Sequence, residues 1–258
     1  MSVQSAGDCF EVRLLGPFEV RRSGVPLDVG SWLRSAQSLL KLLAMAPGHR
    51  RLRDELIDAL WPDASLEAGA SNLRWARHAL RSGLGGGEPS TVLVEHGVVL
   101  LNPTCSWSVD LQQFEFLSEA SDDDVEQLEE ALGLVRGEPL PEDHYEDWAT
   151  PIRDRIERRW RERCLRVAAV HRARGAPWAA LQWYGRLLDR HPLDEDGVQA
   201  LLALYRELGQ RVKGLAVYER FVERLRDDLG GEPAPETLAL VERLRPNAKS
   251  PRIAFRRR

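Results

Sequence analysis

Apolar and polar residues alternate from Phe10 to about Val29, where FEVRLLG, FEVRR and VPLDV are set apart by Gly16-Pro17 and Ser23-Gly24. Alternation of period two between turn-forming pairs predicts short strands, and the three segments together predict a small antiparallel sheet. The period then changes. In SWLRSAQSLLKLLAMAPG, Trp32, Ala36, Leu39, Leu40 and Leu43 recur at helical spacing. That spacing predicts a helix buried along one face, with Ser31 as its N-cap and Pro47-Gly48 as its stop. RLRDELIDALWPD predicts a second helix, ended by Pro62, with Asp54 and Glu55 in the first turn where the helix dipole favours acid. A third runs from about Leu66 to Leu84 and breaks at Gly85-Gly86-Gly87. TVLVEHGVVLL predicts a hairpin turning near His96-Gly97.

Strands, three helices and a hairpin, in that order, make a winged helix-turn-helix preceded by an N-terminal sheet. After Asp110 the chain reads as amphipathic helix with no further strand. The expected fold is mainly α with a small β component. Its parts are a disordered start at 1–9, a winged-helix domain at 10–105, a helical-repeat domain at 106–245 and a basic disordered tail at 246–258.

The helical half repeats itself. Gly175 and Gly209 stand 34 residues apart, and at the same offset Ala169 meets Ala203, Arg172 meets Arg206, Leu181 meets Leu215, Tyr184 meets Tyr218 and Leu188 meets Val222. A 34-residue period with small, aromatic and glycine positions in phase is the pattern of tetratricopeptide helix pairs, which stack into a solenoid with a protein-binding surface.

Composition narrows the classes. With 43% hydrophobic and 29% charged residues over 258 positions, the chain has enough apolar material for packed cores. No stretch approaches the roughly 18–20 apolar residues of a membrane span. The first residues show no basic start followed by an apolar run. Cys9, Cys105 and Cys164 are scattered without a CxxC pair and read as reduced thiols, so a cytoplasmic location is expected.

A net charge of −4 is unusual for a protein that binds phosphate. The arginines, however, are bunched at Arg50, Arg51 and Arg53 and again at Arg74, Arg77 and Arg81, and local patches set the field that a duplex feels. In EAGASNLRWARHALRSGL, steps of 100° put Leu73, Ala76, Leu80 and Leu84 on one face. Ser71, Arg74, Trp75, His78 and Ser82 fall opposite, with Arg81 beside them and Arg77 at the core's edge. Such a face suits the major groove, where an arginine bidentate to guanine contributes ~1–3 kcal/mol of discrimination. Ser71 is placed for a phosphate near the helix start, and Trp75 for a thymine methyl or a sugar edge. Arg50, Arg51 and Arg53 suit the phosphate backbone, and His96 at the hairpin tip the adjacent groove. The competing reading makes these arginines a solvated face, packs Trp75 on the hairpin and leaves His96 as ordinary surface.

Enzymatic chemistry finds no footing. SGLGGGEPST lacks the lysine of a phosphate loop and follows a helix where a strand is required. His49, His78, His96, His144, His171 and His191 show no metal-ligand spacing. The acidic runs Asp122-Asp123-Asp124 and Glu142-Asp143-His144-Tyr145-Glu146-Asp147 are expected as helix starts and solvated loops. No cofactor is expected.

FEVRLLGPFEV, RDELIDALWPD and SNLRWARHALRSGL in the first half resemble the SARP-type transcriptional activators. So do SVDLQQFEFL, RGEPLP with the following EDW, HPLDEDGVQALLALYRELGQ and LAVYERFVERLRDDLGGEPAPETLALVERL in the second. That family joins an OmpR-like winged helix to a bacterial transcriptional activation domain of tetratricopeptide-like helices, and the resemblance runs from about Phe10 to Arg245. It implies an activator that binds direct repeats of double-stranded DNA as a homodimer and helps recruit RNA polymerase. By position, Arg74, Trp75, His78 and Arg81 fall on the family's recognition helix and His96 on its wing. RWARH replaces a more polar run found in many members, which leaves the operator open, and the chain shows no ATPase module of the kind that larger relatives carry. The second functional reading is a tetratricopeptide scaffold or sensor whose winged helix binds protein.

Overall fold

A computed structural model describes residues 8–87, 90–119, 121 and 124–245. Of the disordered start expected at 1–9, residues 1–7 lie outside the described residues, as do the basic tail and Asp122 and Asp123 of the first acidic run, whereas Cys9 opens a β-strand. By compactness the chain divides into one unit ending at Trp160 and a second beginning at Arg161, with the division inside one long helix. The bacterial-activator resemblance and the helical periodicity place a boundary at 105/106, whereas compactness keeps the next helices with the first unit.

In the first unit, β1 (Cys9–Arg13), β2 (Glu19–Arg22) and β3 (Val25–Pro26) form the antiparallel sheet that the alternation predicts. Phe10, Val12 and Val20 point inward and are buried. A fourth strand, β7 (Ser106–Val109), pairs in parallel with β1, so the order is β3-β2-β1-β7. This strand was not anticipated, because SWSV is short and its partner lies almost a hundred residues earlier. Trp107 stacks on Phe10 with ring centroids 4.5 Å apart.

Three helices follow the sheet: α1 (Arg34–Met45), α2 (Arg53–Leu60) and α3 (Leu66–Gly83). Ser31 does not cap α1. It sits in a 3-10 turn at Val29–Ser31 and its hydroxyl donates to Asp28 O, while Leu33 is the N-cap. The Gln37 amide donates to Val29 O and Trp32 O and so fastens the first turn of α1 to the 3-10 turn before it. Trp32 therefore precedes the helix and lies against α3: a Cβ on Gly83 would stand 2.6 Å from its indole. Gly69 likewise lets α3 approach α2, since a Cβ there would meet Ile57 Cγ2 at 2.4 Å.

Arg50 and Arg51 were expected at the start of the second helix. They belong instead to β4 (Arg50–Leu52), which pairs antiparallel with β6 (Val98–Leu101), itself paired with β5 (Val92–Glu95). Left-handed Gly48 and His49 turn the chain into this strand. At the hairpin tip His96 and Gly97 both have positive φ, the geometry of a two-residue turn that matches strand twist.

Two further helices complete the packing of the first unit, α4 (Asp110–Leu117) and α5 (Val125–Leu134). A strap at 136–146 then runs back over the sheet: Arg136 N donates to Leu15 O and Leu140 N to Leu14 O. Within the acidic run Glu142, His144, Tyr145 and Asp147 are exposed as a solvated loop predicts, but Asp143 is not. Asp143 is 2% exposed and ion-paired with the equally buried Lys41 of α1, whose ammonium also lies 4.5 Å from the Phe18 ring centre. Glu142 accepts from Phe18 N, and Arg34 reaches Glu142 O and Glu146. The buried Asp110 carboxylate accepts from Leu14 N at 2.7 Å and Leu15 N at 3.1 Å. Burial pushes its pKa above the ordinary carboxylate value, against the opposing pull of those N–H groups and Arg136.

α6 (Thr150–Ala173) crosses the division, and α7 (Pro177–Arg190), α8 (Glu195–Glu207), α9 (Arg211–Leu229) and α10 (Pro235–Leu244) follow. The 34-residue repeat is visible in the backbone. Gly175 ends α6 at φ 73° and Gly209 ends α8 at φ 69°, each turning the chain into the next helix. α7 packs on α8, α8 on α9, and α10 on both α8 and α9. Among the described residues no helix is long and apolar enough to cross a membrane.

Candidate nucleic-acid interface

Helix α3 starts where Ser65 accepts from Ala68 N and thereby satisfies one of the free N–H groups of the first turn. Leu73, Ala76 and Leu80, with Leu84 just beyond the helix, are 3% exposed or less. This is the inward face that the sequence predicts. Arg74, Trp75 and His78 are exposed on the other side, and Ser71 and Arg81 are half-buried beside them.

Trp75 does not pack on the hairpin. It is 67% exposed and makes an edge contact with His78, ring centroids 6.4 Å apart. A large indole left mostly in water is the kind of surface that a partner covers. Arg77 stands apart from this group. It is half-buried, its Nε is out of contact with solvent and unpartnered, and burial followed by the nearby Arg81 charge lowers its pKa.

The second basic group belongs to the wing. Arg53 N donates to Gly97 O at 2.8 Å, which fastens the start of α2 to the hairpin tip. Arg50 and Arg53 are exposed, Arg51 is half-buried, and His96 is exposed at the turn. The fold thus places Arg50 and Arg51 on β4, Arg53 at the start of α2 and His96 at the turn joining β5 to β6, and Ser71, Arg74, Trp75, Arg77, His78 and Arg81 on one helix, which packs on β5.

Sequence reasoning missed the anchor at the far end of α3. Arg22 of β2 donates to Leu84 O at 3.2 Å and to Gly85 O at 3.5 Å, and it also bonds Asp8 at 2.6 Å. A cation on the last carbonyls of a helix complements its dipole. Asp8 raises the arginine pKa, outweighing the opposing effect of burial. A separation of some sixty residues leaves no local signal for this contact.

The Bacterial transcriptional activator domain family matches residues 109–245. The chain is 29% identical over 247 residues to the regulatory protein AfsR of Streptomyces coelicolor, covering 90% of this chain and 24% of AfsR. It is 28% identical over 254 residues to AfsR of Streptomyces griseus, covering 94% and 25%. It therefore spans about a quarter of the length of these relatives. Among solved structures, Mycobacterium tuberculosis EmbR, in complex with a low affinity phosphopeptide, has the same fold. It superposes with a TM-score of 0.68 at 24% identity, over 92% of this chain and 64% of EmbR.

Proposed function

Because the chain belongs to the Bacterial transcriptional activator domain family and is a transcription regulator of the SARP type, we propose that it reads promoter DNA with α3 and its wing. In this reading α3 enters the major groove, with Arg74 and His78 toward base edges and Trp75 against a thymine methyl or sugar. Ser71 and Arg81 meet phosphates flanking the groove. Arg50, Arg51 and Arg53 hold the backbone beside the wing, and His96 approaches the neighbouring groove. The single observation that carries the reading is the exposed Trp75, set between Arg74 and His78 on a helix whose opposite face is wholly buried.

Charge supports the same orientation. Asp54, Glu55 and Asp58 are exposed on α2 and repel phosphate, so α3 and the wing are the surfaces of this unit suited to a duplex. The helical repeats serve protein contacts: a second copy on direct-repeat sites and RNA polymerase, as for an activator working in the cytoplasm.

Selection of bound duplexes from a random pool, with affinity followed against salt, tests this. The expected result is an enriched direct-repeat motif bound far more tightly than random DNA. Binding without a motif that vanishes steeply with salt overturns it and leaves a protein scaffold as the function.

A further inference from the structure

The second unit contains a cleft of about 570 Å³ between α7 and α9, floored by α8. Leu181 and Leu188 of α7, Leu201 of α8, and Val217 and Phe221 of α9 give it apolar walls, and Gly185 opens its middle. Gly185 lies inside α7 without a positive φ, and a Cβ there would meet nothing within 4 Å. Neither backbone geometry nor a close neighbour therefore calls for glycine, which costs stability in a helix interior relative to alanine. What it provides is a hole in the helix surface. Two turns earlier stands Trp178, 62% exposed. Seven residues advance a helix by ~10.5 Å and return it to within about 20° of the same direction, so a bulky knob and a vacant hole share one stripe of α7. At the 34-residue offset α9 carries Val212 and Glu219, so the combination belongs to α7 and not to the repeat.

We propose that α7 is a self-docking surface: two copies of the chain pack α7 antiparallel about a two-fold axis, and Trp178 of each enters the Gly185 cleft of the other. This rests on the reading above that the helical repeats receive a second copy, and it names the surface. A helix that carries knob and hole on one stripe is complementary to itself, as a two-fold interface requires. With the axis between Leu181 and Gln182, position 178 meets position 185. Asp189, exposed at the far end of α7, then meets the exposed Arg174 in the α6–α7 turn of the second copy, so charge pairs at the ends as shape does between them. The cleft rim favours the same occupant. Arg220 and Arg224 lie beside Glu223 and Asp227, a mixture that selects neither a strongly basic nor a strongly acidic segment. An indole offers a π face to a guanidinium and one N–H to a carboxylate. It also buries ~150–250 Å² of its own and is among the side chains that most often dominate binding.

Sedimentation equilibrium on the full-length chain, without DNA, tests the proposal with Trp178→Ala, Gly185→Leu and a mixture of the two. Leucine at 185 fills the hole while favouring the helix, and Trp178 is mostly in solvent, so urea midpoints of both variants are expected to stay at or above the wild-type value. The wild type is expected to dimerise reversibly at micromolar concentration, and each variant to dimerise about tenfold or more less tightly. The mixture regains one knob-in-hole contact, because the Trp178→Ala copy keeps its hole and the Gly185→Leu copy keeps its tryptophan. Mixed dimers are therefore expected to form several-fold more tightly than either variant with itself, a gain that a general loss of folding does not produce. A dimer as tight in either variant as in wild type overturns the proposal and leaves the second copy at another surface. A mixture no tighter than the single variants overturns the two-fold arrangement. A wild type that stays monomeric overturns the proposal together with the second-copy reading, while DNA reading by α3 is judged separately by the selected duplexes.

Discussion

The guanidinium of Arg22 donates to the carbonyl of Leu84 across 3.2 Å, so the N-terminal sheet holds the last turn of α3. Replacing Arg22 with alanine frees that carbonyl and removes the partner of Asp8. The side chain is one-third exposed, so solvent already screens part of the interaction. Arg22→Ala is expected to lower stability by about 1 kcal/mol in urea denaturation and to weaken DNA binding without altering the selected motif.

Two arginines that both contact DNA in the proposed function separate into different roles. Arg74→Ala is expected to cost about 1–3 kcal/mol on the preferred site and to relax preference at one base pair. Arg53→Ala is expected to weaken all sequences alike and to lower the slope of log affinity against log salt by about one. Titrations at several salt concentrations against preferred and scrambled duplexes make the comparison. An unchanged motif after Arg74→Ala removes that residue from base reading.

Trp75 is 67% exposed, so its replacement by alanine is expected to change unfolding stability by less than about 0.5 kcal/mol. Affinity for the selected duplex is expected to fall tenfold or more, on the order of 1–3 kcal/mol, as for a stacked or methyl-covering aromatic. Paired denaturation and binding curves on one preparation separate the two effects.

The Lys41–Asp143 pair joins α1 to the strap at almost full burial. Lys41→Met leaves the Asp143 carboxylate facing α1 without its cation and is expected to cost about 3–5 kcal/mol. Adding Asp143→Leu is expected to recover most of that loss, because two apolar groups of similar size replace a desolvated ion pair. Urea midpoints of the two single variants and the double variant give the coupling directly.

Burial pushes the Cys164 thiol up to about 12, and it is wholly enclosed in α6, whereas Cys9 is exposed. The thiolate is the reactive form. At pH 8 an alkylating reagent is expected to modify Cys9 first, half-buried Cys105 more slowly, and Cys164 only after denaturant is added. Mass spectrometry of timed digests shows the order. Early labelling of Cys164 would mean that α6 opens under native conditions.

The sequence displays what is periodic. Leu73, Ala76, Leu80 and Leu84 declare the buried face of α3, and therefore its exposed one, because a helix repeats every 3.6 residues. Gly175 and Gly209 declare the repeat because each must turn left-handed at a helix end. What escaped reading was set by partners distant in the chain. β4 exists because Arg50–Leu52 finds β6, and the charge run at 142–147 looks solvated until Lys41 is placed beside Asp143. Ser31 misled for a local reason: a hydroxyl before a helical pattern resembles a cap, but the 3-10 turn binds it to Asp28 O. Arg50, Arg51 and Arg53 stay adjacent, but the fold puts the first two on a strand where a helix start was expected and leaves only Arg53 on the helix.

The parallel pairing of β1 with β7 has a consequence in time. As the chain leaves a ribosome, Cys9–Arg13 emerges early with β2 on one side and a bare row of N–H and C=O groups on the other. That edge stays open until roughly a hundred more residues have been made, and closing so long a loop is slow compared with forming the helices between. Asp110, one residue past β7, then takes the N–H groups of Leu14 and Leu15 just beyond β1. A gene fragment cut after Cys105 therefore encodes every residue of α3 and the wing but leaves a sticky strand with no mate. The surface proposed to read DNA is inherited together with the first helices of the matched activator region, and recombination between relatives is expected to be best tolerated where the sheet is already sewn shut, beyond the strap.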